Sequence, residues 1–293
     1  MFDEIAQQIP TQFIQYKNVC LSIKRLDLVH PQISGNKFFK LKYNFLEAQK
    51  LGFKKLLTFG GAYSNHIAAT AFAAHQFGFE SVGIIRGEEL ANRPFNQTLQ
   101  TAQNFGMKLN FVSREQYRLK QQANNLNQLQ LKFPEHYIIP EGGTNTLAIQ
   151  GCQEILTMQD KSIYDLICCS VGTGGTIAGL IEYSNDHQHI LGFSALKGQF
   201  LNDEVSQLLS PQNNHKKWNI TDQYCHGGYA KKTPELLQFI QNFEHQYGIP
   251  LEHIYTAKML YGIFDMIDQG RIPVNQKVLV IHTGGLQGRV NPL

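Results

Sequence analysis

The chain has 293 residues and a formal net charge of +3, with 42% hydrophobic and 17% charged residues. These values are ordinary for a soluble globular protein, and the length allows one large hydrophobic core or two smaller ones. The charge excess is small and the Lys and Arg residues are scattered, so we expect a protein that does not bind nucleic acid.

The N-terminus and the cysteines favour a cytoplasmic protein without a membrane partner. The start, Met1-Phe2-Asp3-Glu4, lacks the basic residues and apolar run of a signal peptide, and no apolar run is as long as a membrane span. The irregular cysteine spacing predicts reduced thiols rather than a disulfide framework or a metal site; the five are Cys20, Cys152, Cys168, Cys169 and Cys225.

The first half of the chain alternates between strand and helix patterns. Short apolar runs predict strands at residues 55–59, 81–85, 108–112 and 137–140. Helical apolar spacing predicts helices at residues 67–77, 96–105 and 114–132. The last stretch is rich in Gln and Asn, and we expect a solvated surface helix there rather than disorder.

The second half continues this alternation. Its patterns predict strands at residues 164–171, 189–195 and 277–281, and helices at 147–158, from Ile177 onward, at 234–247 and at 255–269. The first of these strands is apolar almost throughout, which is typical of a parallel sheet covered on both faces. Strands separated by helices imply βαβ crossovers, so the predicted fold class is α/β.

Two early motifs point to amine chemistry on a carboxylate. Ser34-Gly35-Asn36-Lys37 places a lysine directly after a Gly-Asn turn. A lysine in a partly desolvated pocket loses its proton near neutral pH and can form a Schiff base with a carbonyl group. The second motif, Gly60-Gly61-Ala62-Tyr63-Ser64-Asn65-His66, lies where a strand turns into a helix, and the N–H groups at a helix start bind anions.

A glycine-rich turn follows the buried strand of the second half. Val171-Gly172-Thr173-Gly174-Gly175-Thr176 opens a helix, so its backbone N–H groups and hydroxyls predict a phosphate site. It is not a Walker A loop, since no Lys follows the glycines, and it lacks the Rossmann spacing. A turn of this kind also occurs as a plain tight connection.

Three further segments would meet near these loops. They are Gly227-Gly228-Tyr229, Ile254-Tyr255-Thr256-Ala257-Lys258 and His282-Thr283-Gly284-Gly285. Ligands of open α/β sheets bind beyond the carboxyl ends of the strands, where such loops collect. We expect His282 to pack or to orient a neighbour, and Cys168-Cys169 to be inert strand core.

Taken together and in this order, the motifs resemble pyridoxal-phosphate enzymes of the tryptophan-synthase-β fold type. Within that group the chain is similar to the 1-aminocyclopropane-1-carboxylate deaminase / D-cysteine desulfhydrase family, from about Leu26 to Leu286. The resemblance implies pyridoxal 5′-phosphate as the cofactor and a small amino acid as the substrate. It also implies two open, twisted α/β domains with the cofactor between them: residues 1–42 plus 146–293 as the large cofactor-binding domain, and 43–145 as a small inserted domain. Family members are usually homodimers.

The resemblance also implies roles at the reactive end of the cofactor. Lys37 matches the lysine that holds the cofactor as a Schiff base and moves protons once released. Asn65 matches the residue that hydrogen-bonds the cofactor's 3′-oxygen. Ser64 matches a serine beside the substrate carboxylate with a part in proton transfer, and Ser64, Asn65 and His66 would bind that carboxylate. His66 has an alternative role, since a histidine in a first helical turn often only caps or packs.

Other matching positions surround the phosphate and the ring. The cofactor phosphate would be bound by Gly172, Thr173, Gly174, Gly175 and Thr176. Tyr229 and Tyr255 match two tyrosines that face the substrate, which makes them candidate catalytic residues together with Lys37 and Ser64. Thr256 matches the position near the pyridine nitrogen.

Two departures from the ring-opening deaminases bear on the substrate. Those enzymes carry Glu where this chain has Thr256, and Gln where it has His66. A Glu near the pyridine nitrogen would favour its protonation, whereas Thr only hydrogen-bonds. Both changes resemble the desulfhydrase branch. The loops after residues 85 and 195 are also shorter than is typical.

We therefore expect D-cysteine desulfhydrase activity, which releases sulfide, pyruvate and ammonia. Ring opening of 1-aminocyclopropane-1-carboxylate to 2-oxobutanoate and ammonia is the first alternative. Another small D- or L-amino acid, such as serine or a sulfonated analogue, is a second. The remaining alternatives are a catalytically silent pyridoxal-phosphate-binding protein and a nucleotide-phosphate binder that uses the glycine-rich turn.

Overall fold

A computed structural model describes residues 1–120, 122–213 and 215–289. The strands within these ranges are β1 (Thr11–Tyr16), β2 (Val19–Arg25), β3 (Lys55–Gly60), β4 (Glu80–Arg86), β5 (Lys108–Val112), β6 (His136–Ile138), β7 (Leu166–Val171), β8 (His189–Ser194), β9 (Lys217–Thr221) and β10 (Val278–His282). The helices in the same ranges are α1 (Phe2–Ile5), α2 (Asn36–Lys50), α3 (Asn65–Phe77), α4 (Gln97–Asn104), α5 (Arg114–Arg118), α6 (Ala123–Lys132), α7 (Thr146–Gln153), α8 (Met158–Ile163), α9 (Gly175–Tyr183), α10 (Phe200–Leu208), α11 (Pro234–Tyr247) and α12 (Thr256–Asp268).

The strands form two sheets, which confirms the predicted α/β class. The larger sheet has the order β1-β2-β10-β7-β8-β9, and the smaller has the order β5-β4-β3-β6. Strand β1 pairs with β2 in antiparallel fashion, while the other pairings are parallel. The smaller sheet takes all its strands from residues 55–138, inside the segment proposed as an inserted domain. The domain boundaries themselves stay a prediction.

Helices cover both faces of the larger sheet, as the apolar run of β7 predicted. All six residues of β7 are buried, and they alternate between two cores. Ile167 and Cys169 pack with residues of α2, α7 and α9, whereas Leu166 and Cys168 pack with α11 and α12. Cys168 and Cys169 are therefore core residues, as expected for side chains that point to opposite faces of a strand.

Two predicted helices are each divided in the structure. The stretch 114–132 forms α5 and α6, and Gln121 lies outside the described residues. The stretch 147–158 ends as a helix at Gln153, and α8 begins after Thr157, whose side chain accepts a hydrogen bond from the Asp160 amide at 3.1 Å. Such a capping residue starts a new helix because it satisfies a free N–H group of the first turn.

Several elements had no prediction from the sequence. They include α1, the β1–β2 hairpin, α2, α10 and β9. Among the helices that the structure describes, none combines the length and the apolar character needed to cross a membrane.

The carboxyl ends of three parallel strands bring the motif loops together. Strand β3 leads into α3, β7 leads into the glycine-rich turn and α9, and β10 leads into residues 283–285. Strands β7 and β10 are parallel neighbours in the larger sheet, so the loops that follow them lie at the same edge. Strand β3 belongs to the smaller sheet, and the start of α3 that follows it reaches the same place.

Candidate active site

A cleft of about 330 Å³ lies at these strand ends and brings most of the predicted site residues together. The predicted residues that line it are Lys37, Ser64, Asn65, His66, Gly172, Thr173, Gly174, Gly175, Thr176, Tyr229 and Tyr255. Both sheets contribute, since α3 follows a strand of the smaller sheet and α9 follows a strand of the larger one.

Lys37 lies in the first turn of α2, with its side chain half-buried in the cleft. Its Nζ donates a hydrogen bond to Asn36 Oδ1 at 2.9 Å, and Asn36 Nδ2 donates to Thr176 Oγ1 at 2.8 Å. Burial lowers the pKa of Lys37 to about 8, against the opposing influence of the Cys152 thiol and the Glu252 carboxylate. The amine is therefore available as a base or nucleophile at a pH where an exposed lysine is fully protonated.

The turn before Lys37 has a backbone that only glycine adopts easily. Gly35 has φ +70°, and a Cβ there would lie 1.9 Å from the carbonyl oxygen of Thr283. The Asn36 amide donates to the same oxygen at 3.1 Å, so the lysine turn rests directly on the segment after β10. A side chain at position 35 would separate these two segments.

The start of α3 offers donors for an anion. Ser64 is the N-cap residue, and its Oγ accepts from the Ile67 amide at 3.3 Å. The first N–H groups of a helix have no partner within the helix, and the amides of Asn65 and His66 belong to this turn. Asn65 Oδ1 is buried without a partner, and a Cβ at Gly285 would lie 2.8 Å from Asn65 Nδ2. The Asn65 amide side chain is thus confined to the cleft wall.

His66 is 1% exposed, and its hydrogen bonds determine its tautomer. Thr58 Oγ1 donates to the Ile139 carbonyl at 2.9 Å, so this hydroxyl has only lone pairs left for His66 Nε2 at 2.7 Å. The proton must therefore be on Nε2, which leaves Nδ1 as a buried acceptor without a partner. Burial and the charges of Lys37 and Lys40 hold the pKa of His66 well below its usual range. A neutral acceptor repels a carboxylate, so His66 would meet one through its backbone N–H.

The glycine-rich turn (residues 172–176, the phosphate loop) has room only for backbone. Gly174 has φ +77°, and a Cβ at Gly175 would lie 3.1 Å from both Cε and Nζ of Lys40. The start of α9 points its N–H groups into this space, as in other helix-terminal anion sites.

Lys40 is a site residue that the sequence reasoning missed. It is 2% exposed, and its Nζ donates to Thr144 Oγ1 at 2.8 Å and to Thr173 Oγ1 at 3.2 Å. Burial, reinforced by the charge of Lys37, lowers its pKa to about 7. The available signal was its spacing: residues three apart share a helix face, so Lys40 faces the same way as Lys37.

Two tyrosines form the opposite wall of the cleft. The rings of Tyr229 and Tyr255 meet edge to face, with centroids 6.1 Å apart. Burial raises the pKa of Tyr229, and it raises that of Tyr255 well above the usual value. Both phenols are therefore protonated at neutral pH and can donate hydrogen bonds.

Thr256 is the one predicted site residue that does not line the cleft. It is fully buried, and its Oγ1 donates to Glu252 Oε1 at 3.1 Å. The hydroxyl of Thr283 does line the cleft, and it is paired with Ser170 Oγ at 2.8 Å. The role of Thr256 near the cofactor ring stays a prediction.

A buried carboxylate organises the backbone at the start of α12. Glu252 is 2% exposed and accepts hydrogen bonds from the amides of Ile254, Tyr255 and Thr256 at 2.6–3.1 Å. Burial raises the pKa of Glu252, while these donors favour its charged form. The carboxylate therefore determines the backbone position from which the Tyr255 side chain enters the cleft.

His282 does not line the cleft but orients the segment that does. Its Nε2 contacts the Pro250 carbonyl oxygen at 2.8 Å, and its Nδ1 lies 3.1 Å from Asp27 Oδ1. It is fully buried, in line with the packing role expected from the sequence.

Two charged residues at the mouth were also not foreseen. Glu141 accepts from the Tyr117 hydroxyl at 2.6 Å and pairs with Lys120 at 2.8 Å, while Arg86 is exposed at the end of β4. In the described parts of the chain, no group of three or more His, Cys, Asp or Glu side chains is arranged to hold a metal ion.

Comparison with known proteins gives one consistent result. The family model described as "Pyridoxal-phosphate dependent enzyme" matches residues 7–284. A Thermotoga maritima protein named "Putative 1-aminocyclopropane-1-carboxylate deaminase" is 32% identical over 284 residues, covering 91% of this chain and 88% of that protein. An Arabidopsis thaliana protein named "Bifunctional D-cysteine desulfhydrase/1-aminocyclopropane-1-carboxylate deaminase, mitochondrial" is 29% identical, covering 92% of this chain and 73% of that protein.

A solved structure agrees with these relatives. The crystal structure of an "ACC deaminase homologue" superimposes with a TM-score of 0.81 at 26% identity, covering 97% of this chain and 91% of that chain.

Proposed function

The chain belongs to the pyridoxal-phosphate dependent enzymes, in the group of the 1-aminocyclopropane-1-carboxylate deaminases and D-cysteine desulfhydrases, and we propose that it eliminates sulfide from D-cysteine. The observation that carries the cofactor-dependent amine chemistry is Lys37, an amine of lowered pKa placed between a phosphate loop and a helix start. The choice of D-cysteine rests on Thr256 and His66, which stand where the ring-opening deaminases carry Glu and Gln. Ring opening of 1-aminocyclopropane-1-carboxylate is the second candidate, favoured by the names of the relatives.

The residues present fit pyridoxal phosphate. Its phosphate suits the phosphate loop, where Gly174 and Gly175 leave space and the Lys40 ammonium reaches the hydroxyl of Thr173. Its aldehyde suits the Lys37 amine, and the Asn65 side-chain amide, through its Nδ2 donor, suits the ring oxygen beside that aldehyde. When bound, the cofactor supplies an electron sink for the carbanion formed at the substrate Cα.

The substrate carboxylate would be held at the start of α3. The amides of Asn65 and His66 and the Ser64 hydroxyl form a cluster of neutral donors there, reinforced by the helix dipole. The neutral His66 ring adds no charge to this cluster. Lys37 and Lys40, two of the positive groups that line the cleft, therefore stay available for the reacting amine and the phosphate.

Lys37 would act as the base that removes the proton from the substrate Cα. With a pKa of about 8, about a tenth of the amines are neutral at pH 7, compared with less than a thousandth for an exposed lysine. Its hydrogen-bond partner, Asn36 Oδ1, is a neutral amide oxygen rather than a carboxylate, so no negative charge holds the proton on the base.

Tyr229, Tyr255 and Ser64 would exchange protons with the leaving group and with solvent. Tyr229 and Tyr255 keep their phenolic protons because burial disfavours phenolate. Each phenol can donate a hydrogen bond to the departing sulfur of D-cysteine. In the alternative reaction, each can donate a proton to a carbon of the opening cyclopropane ring. This geometry serves both candidate reactions, so the substrate assignment depends on the experiment below.

Further expectations from the family also belong to this proposal. They are a homodimer, a cytoplasmic location, and a division into a large domain (residues 1–42 plus 146–293) and a small domain (43–145). Gel filtration with light scattering measures the molar mass and so tests the expected homodimer.

The test combines spectroscopy with product analysis. We expect the purified protein to show a visible absorption band from bound cofactor, and Lys37→Ala to lose both this band and all turnover. Lys50→Ala is the matched control, since Lys50 lies on the same helix with its side chain 76% exposed. Formation of pyruvate and sulfide from D-cysteine would support desulfhydrase activity. Formation of 2-oxobutanoate from 1-aminocyclopropane-1-carboxylate would support deaminase activity. Full activity of Lys37→Ala would refute the proposed base, and a bound cofactor without either product would indicate a silent binder.

A further inference from the structure

Lys258 is a buried cation that the proposed mechanism does not use. It is 1% exposed, and its Nζ donates a hydrogen bond of 2.7 Å to the carbonyl oxygen of Gly228, thirty positions earlier in the chain. Removing an ammonium group from water is unfavourable, and its acceptor here is a backbone carbonyl rather than a carboxylate. The contact therefore requires an explanation beyond charge neutralisation.

Helix stability does not supply that explanation. Lys258 is the third residue of α12, in the first turn of the helix. The N-terminal end of a helix carries partial positive charge, so a cation is disfavoured there and an acid is preferred. The lysine consequently opposes the dipole of its own helix while it reaches across to another segment.

That segment is the loop of residues 225–230, which we name the tyrosine loop because it carries Tyr229. Its backbone is strained: His226 has φ +47° and Ala230 has φ +56°, values that side-chain-bearing residues rarely adopt. Gly227 and Gly228 also have positive φ. Residues in such conformations persist only where surrounding contacts hold them.

His226 of this loop contacts Thr233 and Tyr261, and three further hydrogen bonds converge on Gly228. Its carbonyl oxygen accepts from both the Lys231 amide, at 3.1 Å, and Lys258 Nζ, while its own amide donates to the Cys225 carbonyl at 2.9 Å. The next residue is Tyr229, which is 44% exposed and whose ring contacts that of Tyr255. The backbone at Gly228 therefore sets the point from which the Tyr229 ring reaches Tyr255.

We propose that Lys258 is a positioning residue that holds the tyrosine loop against α12 and thereby places Tyr229 beside Tyr255. Helix α12 carries Tyr255 at its N-cap and Lys258 in its first turn, so one helix end sets the position of both phenols. The Tyr229–Tyr255 ring contact, at 6.1 Å, is the consequence. This inference rests on the proposed function in one respect, namely that Tyr229 acts on the bound substrate.

The first experiment measures the loop itself. Hydrogen–deuterium exchange is compared between the wild-type protein and Lys258→Met, with peptides that cover residues 225–233. We expect exchange in this loop to accelerate about ten-fold, since the amides near Gly228 lose their fixed acceptor geometry. Lys216→Met is the matched control: Lys216 Nζ also donates to backbone carbonyls, those of Ile181, Glu182 and Ser184, but away from the cleft. Unchanged exchange at residues 225–233 in Lys258→Met would overturn the proposal.

The second experiment tests whether the lysine acts through Tyr229. The kcat/KM values of Lys258→Met, Tyr229→Phe and the double variant form a cycle. We expect each single change to lower kcat/KM by about ten-fold and the double variant to be no worse than Tyr229→Phe alone. Lys258→Arg, which keeps a donor for the Gly228 carbonyl, should recover most of the loss. Independent, multiplying effects of the two changes would contradict positioning through Tyr229.

The two experiments separate this inference from the proposed function. If Tyr229→Phe keeps full activity, the catalytic role of Tyr229 fails, while accelerated exchange in Lys258→Met still supports the loop contact. If Lys258→Met does not fold, Lys258→Leu also removes the donor to the Gly228 carbonyl and carries the same expected result. Cofactor affinity should stay within two-fold of wild type in all these variants, because the phosphate loop is untouched.

Discussion

The phosphate side and the tyrosine side of the cleft differ in how their backbones are held. The phosphate loop connects β7 to α9, two regular elements that are buried in one core. The tyrosine loop has no regular element directly on either side, and side-chain contacts hold it, among them that of Lys258 with the Gly228 carbonyl. Regular elements on both sides fix the backbone conformation of a short turn. A loop with a strained backbone keeps its conformation only through contacts with distant residues.

This difference suggests a division of labour. The phosphate side would bind a large, invariant cofactor and benefits from rigidity. The tyrosine side would act on the substrate, where a loop allows adjustment of position. Changes on the first side should therefore alter cofactor affinity, and changes on the second should alter catalysis.

Lys40→Met should have the largest effect. It removes the ammonium group that reaches Thr144 and Thr173, and a hydrogen bond to a charged group contributes about 1.5–3 kcal/mol, or roughly a 10- to 150-fold change in affinity. The cofactor dissociation constant, measured by absorption titration, should rise accordingly. An unchanged constant would show that Lys40 does not contact the phosphate.

The same lysine should make the stability of the cofactor-free protein depend on pH. The pKa values of Lys37 and Lys40 are lowered in the folded state, to about 8 and about 7. The unfolded chain thus binds more protons between pH 7 and 10.5, so the free energy of unfolding should rise with pH, by about 3–4 kcal/mol from pH 7 to 9. Denaturant unfolding at both pH values measures this rise. The Lys40→Met variant should show a smaller rise in the free energy of unfolding. A rise equal to that of the wild type would contradict a lowered pKa at Lys40.

The Tyr229→Phe variant should alter catalysis at the tyrosine side of the cleft and leave cofactor binding at the phosphate side unchanged. Loss of one phenolic donor is expected to lower kcat/KM by about ten-fold, or 1.4 kcal/mol, while the cofactor dissociation constant stays the same. Steady-state kinetics and absorption titration on the same sample provide both values. A change in cofactor affinity would break the division between the two sides.

Thr256→Val should have the smallest effect on the cofactor. Its hydroxyl faces Glu252 rather than the cleft, so the absorption band should keep its position. The lost hydrogen bond should cost about 1 kcal/mol of stability, measured by thermal unfolding. A shifted band would instead support the predicted role of Thr256 near the pyridine nitrogen.

His66 illustrates how far residue identity can be interpreted without a structure. The motif Ser64-Asn65-His66 correctly predicted a helix start at the cleft. The sequence could not show that Thr58 donates to Ile139 and so leaves His66 with Nδ1 unprotonated. The tautomer of His66 depends on the hydrogen bond from Thr58 to Ile139. That contact joins distant parts of the chain, so no local pattern shows it.

The sequence by itself determined the parts of this protein that follow from local rules. The largely apolar β7, the glycines after it and the lysine after Gly35-Asn36 each act through neighbours within a few positions, so their patterns predict strand, turn and amine. The order of the motifs was sufficient for the family.

Only the tertiary structure decided which side chains meet across the cleft. Lys40 reaches Thr173 over 133 positions, Lys258 reaches Gly228 over 30, and the hydroxyl of Thr256 faces Glu252. Such contacts depend on how two sheets and their helices pack, and burial then sets the pKa values of the groups involved. A sequence pattern records the local preference of each residue, but not the distant partner that tertiary packing places beside it.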